Sequence, residues 1–276
     1  MNVLLHPTSE RILRTFAQDL PGALLLTGPE GIGLTGAVQI LAEATNQPEI
    51  TPDVTMIQPE KDGAIDLEKG TITIEMIRDL YESLRGRSIR RRLIVIRDAD
   101  RMGIPAQNAF LKLLEEPNDG VHFVLLAHNP QQLLPTIRSR TQHLALRPIS
   151  EAASNQLLDD LTTDDVTARA QLLFIANGLP ALLTRLVKDE ALFATRAQIV
   201  RDARTLLTAT AYQKLVLIEK YKDKREDVLI LLQDTAKLIK RSGDRSAIPK
   251  ISAILDVYDR IVQNGNIRLQ LATLAL

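Results

Sequence analysis

Two kinds of apolar pattern alternate through the first half of the chain. The strand-like runs are rich in Val, Ile and Leu and lie at 23–27, 54–58, 92–97, 122–127 and 142–146. The helix-like segments repeat an apolar residue every three or four positions and lie near 8–19, 34–46, 74–85 and 105–116. Because strands in a parallel sheet are buried on both faces, they are apolar almost throughout, as the runs at 93–96 and 123–127 are. The alternation predicts a parallel α/β sheet covered by helices on both faces.

The pattern changes after Pro148. From there to the end, Val, Ile and Leu recur at helical spacing and no convincing strand remains, as in the stripe Ile251, Ile254, Leu255, Tyr258, Ile261 and Val262. We therefore predict three domains: an α/β domain over residues 1–148, a small helical domain over 149–189 and a second helical domain over 190–276. The apolar stripes of the last domain are expected to form its core.

Composition excludes several kinds of protein. Hydrophobic residues make up 45% and charged residues 25% of the chain, which is ordinary for a globular protein. There is no cysteine, so disulfides and cysteine-ligated zinc are excluded, and none of the four histidines is spaced as a metal ligand. No apolar run is long enough for a membrane span and no signal peptide is evident, so we expect a cytoplasmic protein. Lys plus Arg and Asp plus Glu both total 34, so no global excess of positive charge indicates nucleic-acid binding.

The most informative local feature is the glycine-rich loop that follows the strand at 23–27. Gly28, Gly31 and Gly33 precede Leu34 and Thr35 at the spacing of a phosphate-binding loop, and a helical segment follows. Glycines let backbone N–H groups surround a phosphate, and the helix N-terminus adds favourable partial charge. The position of the phosphate-binding lysine is occupied by Leu34, which has neither charge nor donor. The alternative interpretation is a glycine-rich turn between a buried strand and a helix.

Acidic residues follow the strand at 92–97. In nucleotide-hydrolysing sheets of this type, carboxylates at such a strand end bind Mg²⁺ and polarise the attacking water. Here the strand leads into Arg97-Asp98-Ala99-Asp100-Arg101-Met102. The helix that follows begins near Pro105 and ends before Pro117.

Four segments together resemble the clamp-loader subunits of bacterial DNA polymerase III, which belong to the AAA+ class. They are Gly28–Thr35, Asp98–Met102, Asn108–Pro117 and Pro135–Thr141. The helix Asn108–Pro117, followed about twenty residues later by Ser139-Arg140-Thr141, is highly specific to that family. The resemblance covers residues 1 to about 190; beyond them only the helical character agrees. It implies an AAA+ P-loop domain, a helical lid and an all-α C-terminal collar that joins subunits in a ring.

The resemblance also implies that the nucleotide site is vestigial. It places Arg97 at the position of the family's metal-binding aspartate and Asp98 at the position of its catalytic glutamate. A positively charged side chain therefore stands where a carboxylate would bind the magnesium ion. A register shifted by one residue, with Asp98 holding metal, stays open. Leu182 falls where the family's lid arginine stands, although Arg185 one turn later could substitute, and Asn129 matches the polar sensor residue. No productive ATP or magnesium binding is expected, and the family's zinc module is absent from residues 47–70.

Arg140 is the residue expected to act in catalysis. In the family, the arginine of this motif reaches the ATP site of the adjacent subunit and stabilises the charge on the transferred phosphoryl group. Thr141 replaces the family's cysteine. The alternative is that Arg138 and Arg140 are solvated charges on a loop.

The expected function is therefore a non-catalytic clamp-loader subunit, which helps to load the sliding clamp onto primed DNA and donates Arg140 to a neighbour's ATP site. Its partners would be delta- and gamma/tau-type subunits, the clamp indirectly, and primed DNA through the assembled complex. The alternatives are an ATP-hydrolysing motor subunit of gamma/tau type, another AAA+ remodelling ATPase, or a scaffold with no role in replication. An arginine-rich run either contacts DNA or an acidic partner, or is a solvated loop; it comprises Arg85, Arg87, Arg90, Arg91 and Arg92.

Overall fold

The structure is a computed structural model that describes most of the chain. The described ranges are 4–45, 53–67, 69–85, 91–116, 118–161, 165–243 and 248–274. The chain divides into two compact units. The first comprises residues 1–163 and 176–185, and the second comprises residues 164–175 and 186–276. The three-domain division stays a prediction.

The first unit contains the strands and the helices that cover them. Its strands are β1 (Ala23–Thr27), β2 (Asp53–Ile57), β3 (Glu60–Lys61), β4 (Ala64–Ile65), β5 (Arg92–Ile96), β6 (Val121–Ala127) and β7 (Gln142–Ala145). Its helices are α1 (Pro7–Gln18), α2 (Leu34–Thr45), α3 (Ile74–Ser83), α4 (Ile104–Glu115), α5 (Pro135–Ser139) and α6 (Glu151–Asp160). The five predicted strands and four predicted helices of this half are confirmed, with ends that differ by two residues or fewer where both ends are described. The two-residue strands β3 and β4 and the short helix α5 were not predicted.

The main sheet has five parallel strands in the order β2-β5-β6-β1-β7. Strand β1 lies between β6 and β7, with Leu25 opposite Leu125 on one side and His143 on the other. Strands β3 and β4 form a separate antiparallel pair. Because the five strands run the same way, the loops that follow β1, β5 and β6 leave the sheet at one edge.

Alternate residues of the strands enter two different apolar cores. Leu25, Ile94 and Phe123 face α3 and α4, where the rings of Phe110 and Phe123 meet edge to face with centroids 5.2 Å apart. On the other face, Leu24 and Val124 pack with residues of α1 and α2. Strands β1, β5 and β6 are thus buried on both sides, which is why they read as continuous apolar runs, whereas the edge strands β2 and β7 are largely exposed.

The remaining helices are α7 (Val166–Ala176), α8 (Pro180–Lys188), α9 (Glu190–Thr208), α10 (Ala211–Tyr221), α11 (Arg225–Ser242), α12 (Ile248–Val262) and α13 (Ile267–Ala272). Helices α9 to α13 surround a third apolar core. The predicted stripe on α12 enters it in part: Ile254 and Ile261 are buried, whereas Leu255 and Val262 are about half exposed. Among the described residues, no helix has the length and apolar character needed to cross a lipid bilayer.

A buried carboxylate ties α9 to α10. Asp202 is 7% exposed and accepts hydrogen bonds from Lys220 Nζ at 2.6 Å, Tyr221 Oη at 2.7 Å and Gln198 Nε2 at 2.8 Å. Burial by itself raises the pKa of Asp202, but the three hydrogen bonds outweigh it and hold the pKa below its usual value. Burial and the contact with Asp202 raise the pKa of Tyr221. Asp202 is therefore charged in the folded protein at neutral pH, with donors on both oxygens.

We predict that Asp202→Asn lowers the free energy of unfolding by about 2 kcal/mol at pH 7, because the amide turns an N–H group toward a site that supplies only donors. The folded-state pKa is depressed, so the stabilisation by Asp202 is present above its unfolded pKa, about 3.9, and is lost as the pH falls through the folded value. The difference in the free energy of unfolding between Asp202→Asn and the wild type should thus be smaller at pH 3 than at pH 7. Urea unfolding followed by circular dichroism measures both values.

The exposed acid Asp256 on α12 provides the control, and Asp256→Asn should leave the unfolding free energy unchanged at either pH. An equal effect of Asp202→Asn at pH 7 and pH 3 would contradict a role for the charge.

Candidate functional site

The glycine-rich loop has the backbone of a phosphate-binding loop. Gly31 and Gly33 have positive φ angles of 84° and 97°, which favour glycine, and the loop leads from β1 directly into α2. Thr35 is exposed on the first turn of α2. Leu34 is 4% exposed and packs in the core formed with α1 and α2. The loop therefore keeps its glycine conformation, while the side chain at the lysine position belongs to the apolar core.

The first turn of α8 contacts this loop. The backbone N–H groups of Ala181 and Leu182 both donate to the carbonyl oxygen of Gly31, at 3.0 and 3.1 Å. A Cβ atom on Gly31 would lie 2.6 Å from Cβ of Leu182, which is itself 8% exposed. Arg185 Nη1 lies 3.7 Å from Glu30 Oε1 in an exposed ion pair. Leu182, at the position of the family's lid arginine, is therefore in contact with the loop and brings no charge to it.

Asp98 follows β5 in the left-handed region, with φ of 50°. One of its carboxylate oxygens lies 3.7 Å from Arg97 Nε, and the other lies 3.7 Å from Nε2 of His128. Arg97 Nη1 also donates to Gln58 Oε1 at 3.4 Å. The Asp98 carboxylate thus has a guanidinium on one side and an imidazole on the other.

His128 connects the acidic strand end to the phosphate loop. Its Nδ1 lies 2.8 Å from the carbonyl oxygen of Gly28, which can only accept, so Nδ1 carries the hydrogen and Nε2 faces Asp98. Sequence analysis found no metal-ligand spacing for this histidine and did not predict the contact. The usable signal was its position directly after β6, next to Asn129, since the strand ends of a parallel sheet meet at one edge.

Asn129 lies on the same edge. Its backbone N–H donates to Asp100 Oδ2 at 2.8 Å, which fixes the loop after β6 against the loop after β5. Asp100 Oδ1 is buried and has no hydrogen-bond partner within the described part of the chain. Two of the predicted site residues, Gly28 and Asp98, thus both contact His128. A third, Gly31, contacts the start of α8.

A buried glutamine connects this edge to α5. Gln107 of α4 is 1% exposed; its Nε2 donates to the carbonyl oxygens of Met102 and Gln132, at 3.0 and 3.1 Å. Its Oε1 accepts from the backbone N–H of Leu134 at 2.7 Å. Sequence reasoning gave this residue no role. Because its amide is satisfied by three backbone groups, it fixes the segment that leads into α5.

Arg140 stands at the C-terminal end of α5, with its side chain 38% exposed. Its Nη2 lies 2.7 Å from Oε1 of Glu115, the last residue of α4, and its Nη1 donates to the carbonyl oxygen of Thr136 at 3.2 Å. Arg138 differs, because its Nη1 donates to Gln131 at 3.0 Å and its buried Nε has no partner among the described residues. Arg140 is therefore a fixed but accessible guanidinium. Glu115 was part of the sequence motif, but this contact was not predicted.

The arginine-rich run is described only at its two ends. Arg85 pairs with Glu82 at 2.8 Å and lies over the ring of Tyr81, 5.1 Å from its centroid. Arg92 lies 3.7 Å from Asp53 and donates to the carbonyl oxygen of Ser83. Arg87 and Arg90 lie outside the described residues, as do Pro117 and the segment 47–52. The question of whether this run contacts DNA therefore stays open.

Comparisons with known proteins point to subunits of DNA polymerase III, of both delta' and gamma/tau type. Residues 10–150 match the family described as DNA polymerase III, delta subunit. The chain is 28% identical over 274 residues to DNA polymerase III subunit delta' of Pseudomonas aeruginosa. This alignment covers 88% of this chain and 79% of that protein. It is 31% identical over 151 residues to the Bacillus subtilis subunit of the same name, which covers 54% of this chain and 43% of that protein. The match to the Bacillus subtilis subunit therefore spans less than half of that protein's length.

A solved structure shows the same fold. It is that of a DNA polymerase III, gamma subunit-related protein from Thermotoga maritima, with a TM-score of 0.53, 19% sequence identity and 97% of both chains covered. The AAA+ α/β fold predicted from the sequence is confirmed.

We predict that Gly31→Ala destabilises the first unit more than Gly33→Ala does. Both positions have positive φ, which costs an alanine about 1 kcal/mol. Only at Gly31 would the new Cβ collide with Leu182, whereas at Gly33 the nearest atom is 3.8 Å away. Thermal unfolding should separate the two variants by about 1–3 kcal/mol, the usual cost of overpacking.

Hydrogen exchange gives a local measurement of the same contact. The amides of Ala181 and Leu182 should exchange faster in Gly31→Ala than in Gly33→Ala. Equal exchange in the two variants would show that α8 is not held by the loop.

Proposed function

Since this chain belongs to the DNA polymerase III delta-prime family of clamp-loader subunits, we propose that its part in DNA replication is non-catalytic at its own nucleotide site. It binds no ATP productively, and it donates Arg140 to the ATP site of a neighbouring subunit. Its partners are the delta- and gamma/tau-type subunits, the sliding clamp indirectly, and primed DNA through the assembled complex.

The observation that carries the first half of this proposal is the burial of Leu34. A nucleotide-binding loop needs a cationic side chain that reaches the terminal phosphates, and here that position contributes a leucine to the apolar core. A lysine elsewhere in the loop is not available, because the loop contains none. The backbone can still approach a phosphate, but the main source of electrostatic attraction is missing.

The opposite side of the pocket supports the same proposal. Arg97 lies beside Asp98 and Gln58 at the strand end where a magnesium ligand would stand. Two like charges about 4 Å apart repel each other by about 1–4 kcal/mol, depending on how far water screens them. A magnesium ion held near this guanidinium is therefore disfavoured. The contact of Leu182 with Gly31 adds a third position at which the pocket offers no cation to a nucleotide.

Three observations favour the alternative, an ATP-hydrolysing subunit of gamma/tau type. The loop keeps positive φ at Gly31 and Gly33, which is the backbone that a nucleotide phosphate requires. Asp98 also keeps a carboxylate at the edge of the sheet, and Arg185 reaches Glu30 of the loop. Binding of magnesium ATP by the isolated chain decides between the two.

Arg140 supports the second half of the proposal. An arginine that acts on a neighbouring subunit must be exposed, and its guanidinium must be held in a defined direction. Arg140 meets both conditions, since it is over one-third exposed and hydrogen-bonded to Glu115 and Thr136. It lies on a rigid segment, which follows the backbone groups that Gln107 fixes.

We expect the isolated chain to bind magnesium ATP more weakly than about 1 mM, a binding free energy no stronger than about −4 kcal/mol. Isothermal titration calorimetry measures this, with an ATP-hydrolysing gamma-type subunit as the positive control under the same conditions. A dissociation constant in the micromolar range that requires Mg²⁺ would overturn the pseudo-ATPase assignment, and hydrolysis by the isolated chain would establish the alternative.

We predict that Arg140→Ala slows ATP hydrolysis at the facing site of the assembled complex by about 10³-fold, the lower end of the effect of an arginine finger in trans. Total turnover should fall by the share that this site contributes. Arg140→Lys should recover little, because an ammonium lacks the planar fork of donors. Steady-state hydrolysis in the presence of primed DNA, together with the mass of the complex, provides the measurement.

Arg14 provides a matched control for this experiment. It forms an exposed ion pair with Glu10 at 2.7 Å on α1, comparable to the pair of Arg140 with Glu115. Arg14→Ala should leave hydrolysis unchanged. Unchanged hydrolysis by intact complexes that carry Arg140→Ala would show that the trans-acting role is wrong.

A further inference from the structure

Glu115 lies where a carboxylate is unfavourable on its own. It is the last residue of α4, at the helix end that carries partial negative charge, and its side chain is about half exposed. A cation at this end is favoured, and the guanidinium of Arg140 supplies one at 2.7 Å. The positive charge of Arg140, which follows α5, thus offsets the unfavourable negative charge of Glu115 at the end of α4.

The geometry of the pair leaves the guanidinium able to bind a second anion. Arg140 donates through one hydrogen of Nη2 to Glu115 and through one of Nη1 to Thr136. An arginine has further N–H groups in the same plane, and for Arg140 no other partner is found within the described ranges. Each of the two contacts comes from a different element, so the plane of the guanidinium is fixed by two points.

We propose that Glu115 is the positioning residue for Arg140: its carboxylate holds the guanidinium in the orientation in which the remaining N–H groups face a phosphate of the neighbouring subunit. This inference rests on the proposed function of Arg140. Free in solution, an arginine side chain samples many rotamers, and ordering it at the moment of reaction would reduce the rate. The contact with Glu115 orders the side chain before the neighbour's nucleotide arrives.

Three variants in the assembled complex test the proposal: Glu115→Ala, Glu115→Gln and the double variant Glu115→Ala with Arg140→Ala. Glu115→Ala should lower kcat at the facing site by about tenfold to a hundredfold with KM for ATP unchanged, because a misplaced guanidinium is lost mainly from the transition state. Glu115→Gln keeps an acceptor oxygen and should recover most of the lost rate. The double variant should be as slow as Arg140→Ala alone, because Glu115 acts only through Arg140 and the two effects are therefore not additive.

Matched controls separate positioning from stability. Glu116 follows Glu115 directly and is exposed, and Glu10 forms the comparable pair with Arg14, so Glu116→Gln and Glu10→Ala should both leave kcat unchanged. Because exposed ion pairs contribute little to stability, Glu115→Ala should lower the Tm of the isolated chain by less than about 3 °C.

The outcomes distinguish this inference from the function on which it rests. A loss of rate with Arg140→Ala but not with Glu115→Ala overturns the positioning role and leaves the trans-acting arginine in place. No loss with either variant overturns both. A higher rate with Glu115→Ala, or a loss of rate that follows a loss of the complex, also contradicts positioning.

Discussion

The burial of a parallel sheet on both faces determines where chemistry can occur in the first unit. Leu24 and Leu25, neighbours on β1, enter opposite apolar cores, and the same is true of Leu93 and Ile94 on β5. Neither face can carry a charged side chain without a large desolvation cost. Polar residues lie mainly in the loops beyond the strands and on the exposed edge strands β2 and β7, and β1, β5 and β6 direct three such loops to one edge. The contacts of the candidate site lie in these loops, in the loop after β2 that carries Gln58, or on the helices next to them.

The backbone and the side chains of that edge differ in what they retain. Gly31 and Gly33 keep the conformations that a phosphate requires, since those conformations also form the turn from β1 into α2. Leu34 and Arg97 both have contacts within the fold: Leu34 fills the core, and Arg97 contacts Asp98 and Gln58. The loss of nucleotide binding that we propose is compatible with an intact fold, because both residues are stabilised by local packing and charge.

Much of the first unit could be predicted from the sequence, because long apolar runs have one physical cause. A strand such as Leu93–Ile96 is apolar throughout only if it is buried on both sides. The pair β3 and β4 could not be predicted, since two residues in each strand carry no periodicity. The contacts of His128 and Glu115 depend on which loops become neighbours in the sheet and along α4 and α5, and no local pattern encodes that. The same holds for Asp202, whose donors Lys220 and Tyr221 lie on the next helix.

The strand order has a consequence for how the chain folds during synthesis. Strand β1 pairs only with β6 and β7, and Ala23 is opposite Phe123 in the register. Until the ribosome has released residues 121–145, an entirely apolar strand has no partner for its backbone on either side. Such long-range pairing is slow, and unpaired, aggregation-prone strand edges stay exposed until it is complete. The nascent chain therefore exposes an unpaired apolar strand until β6 and β7 have been synthesised.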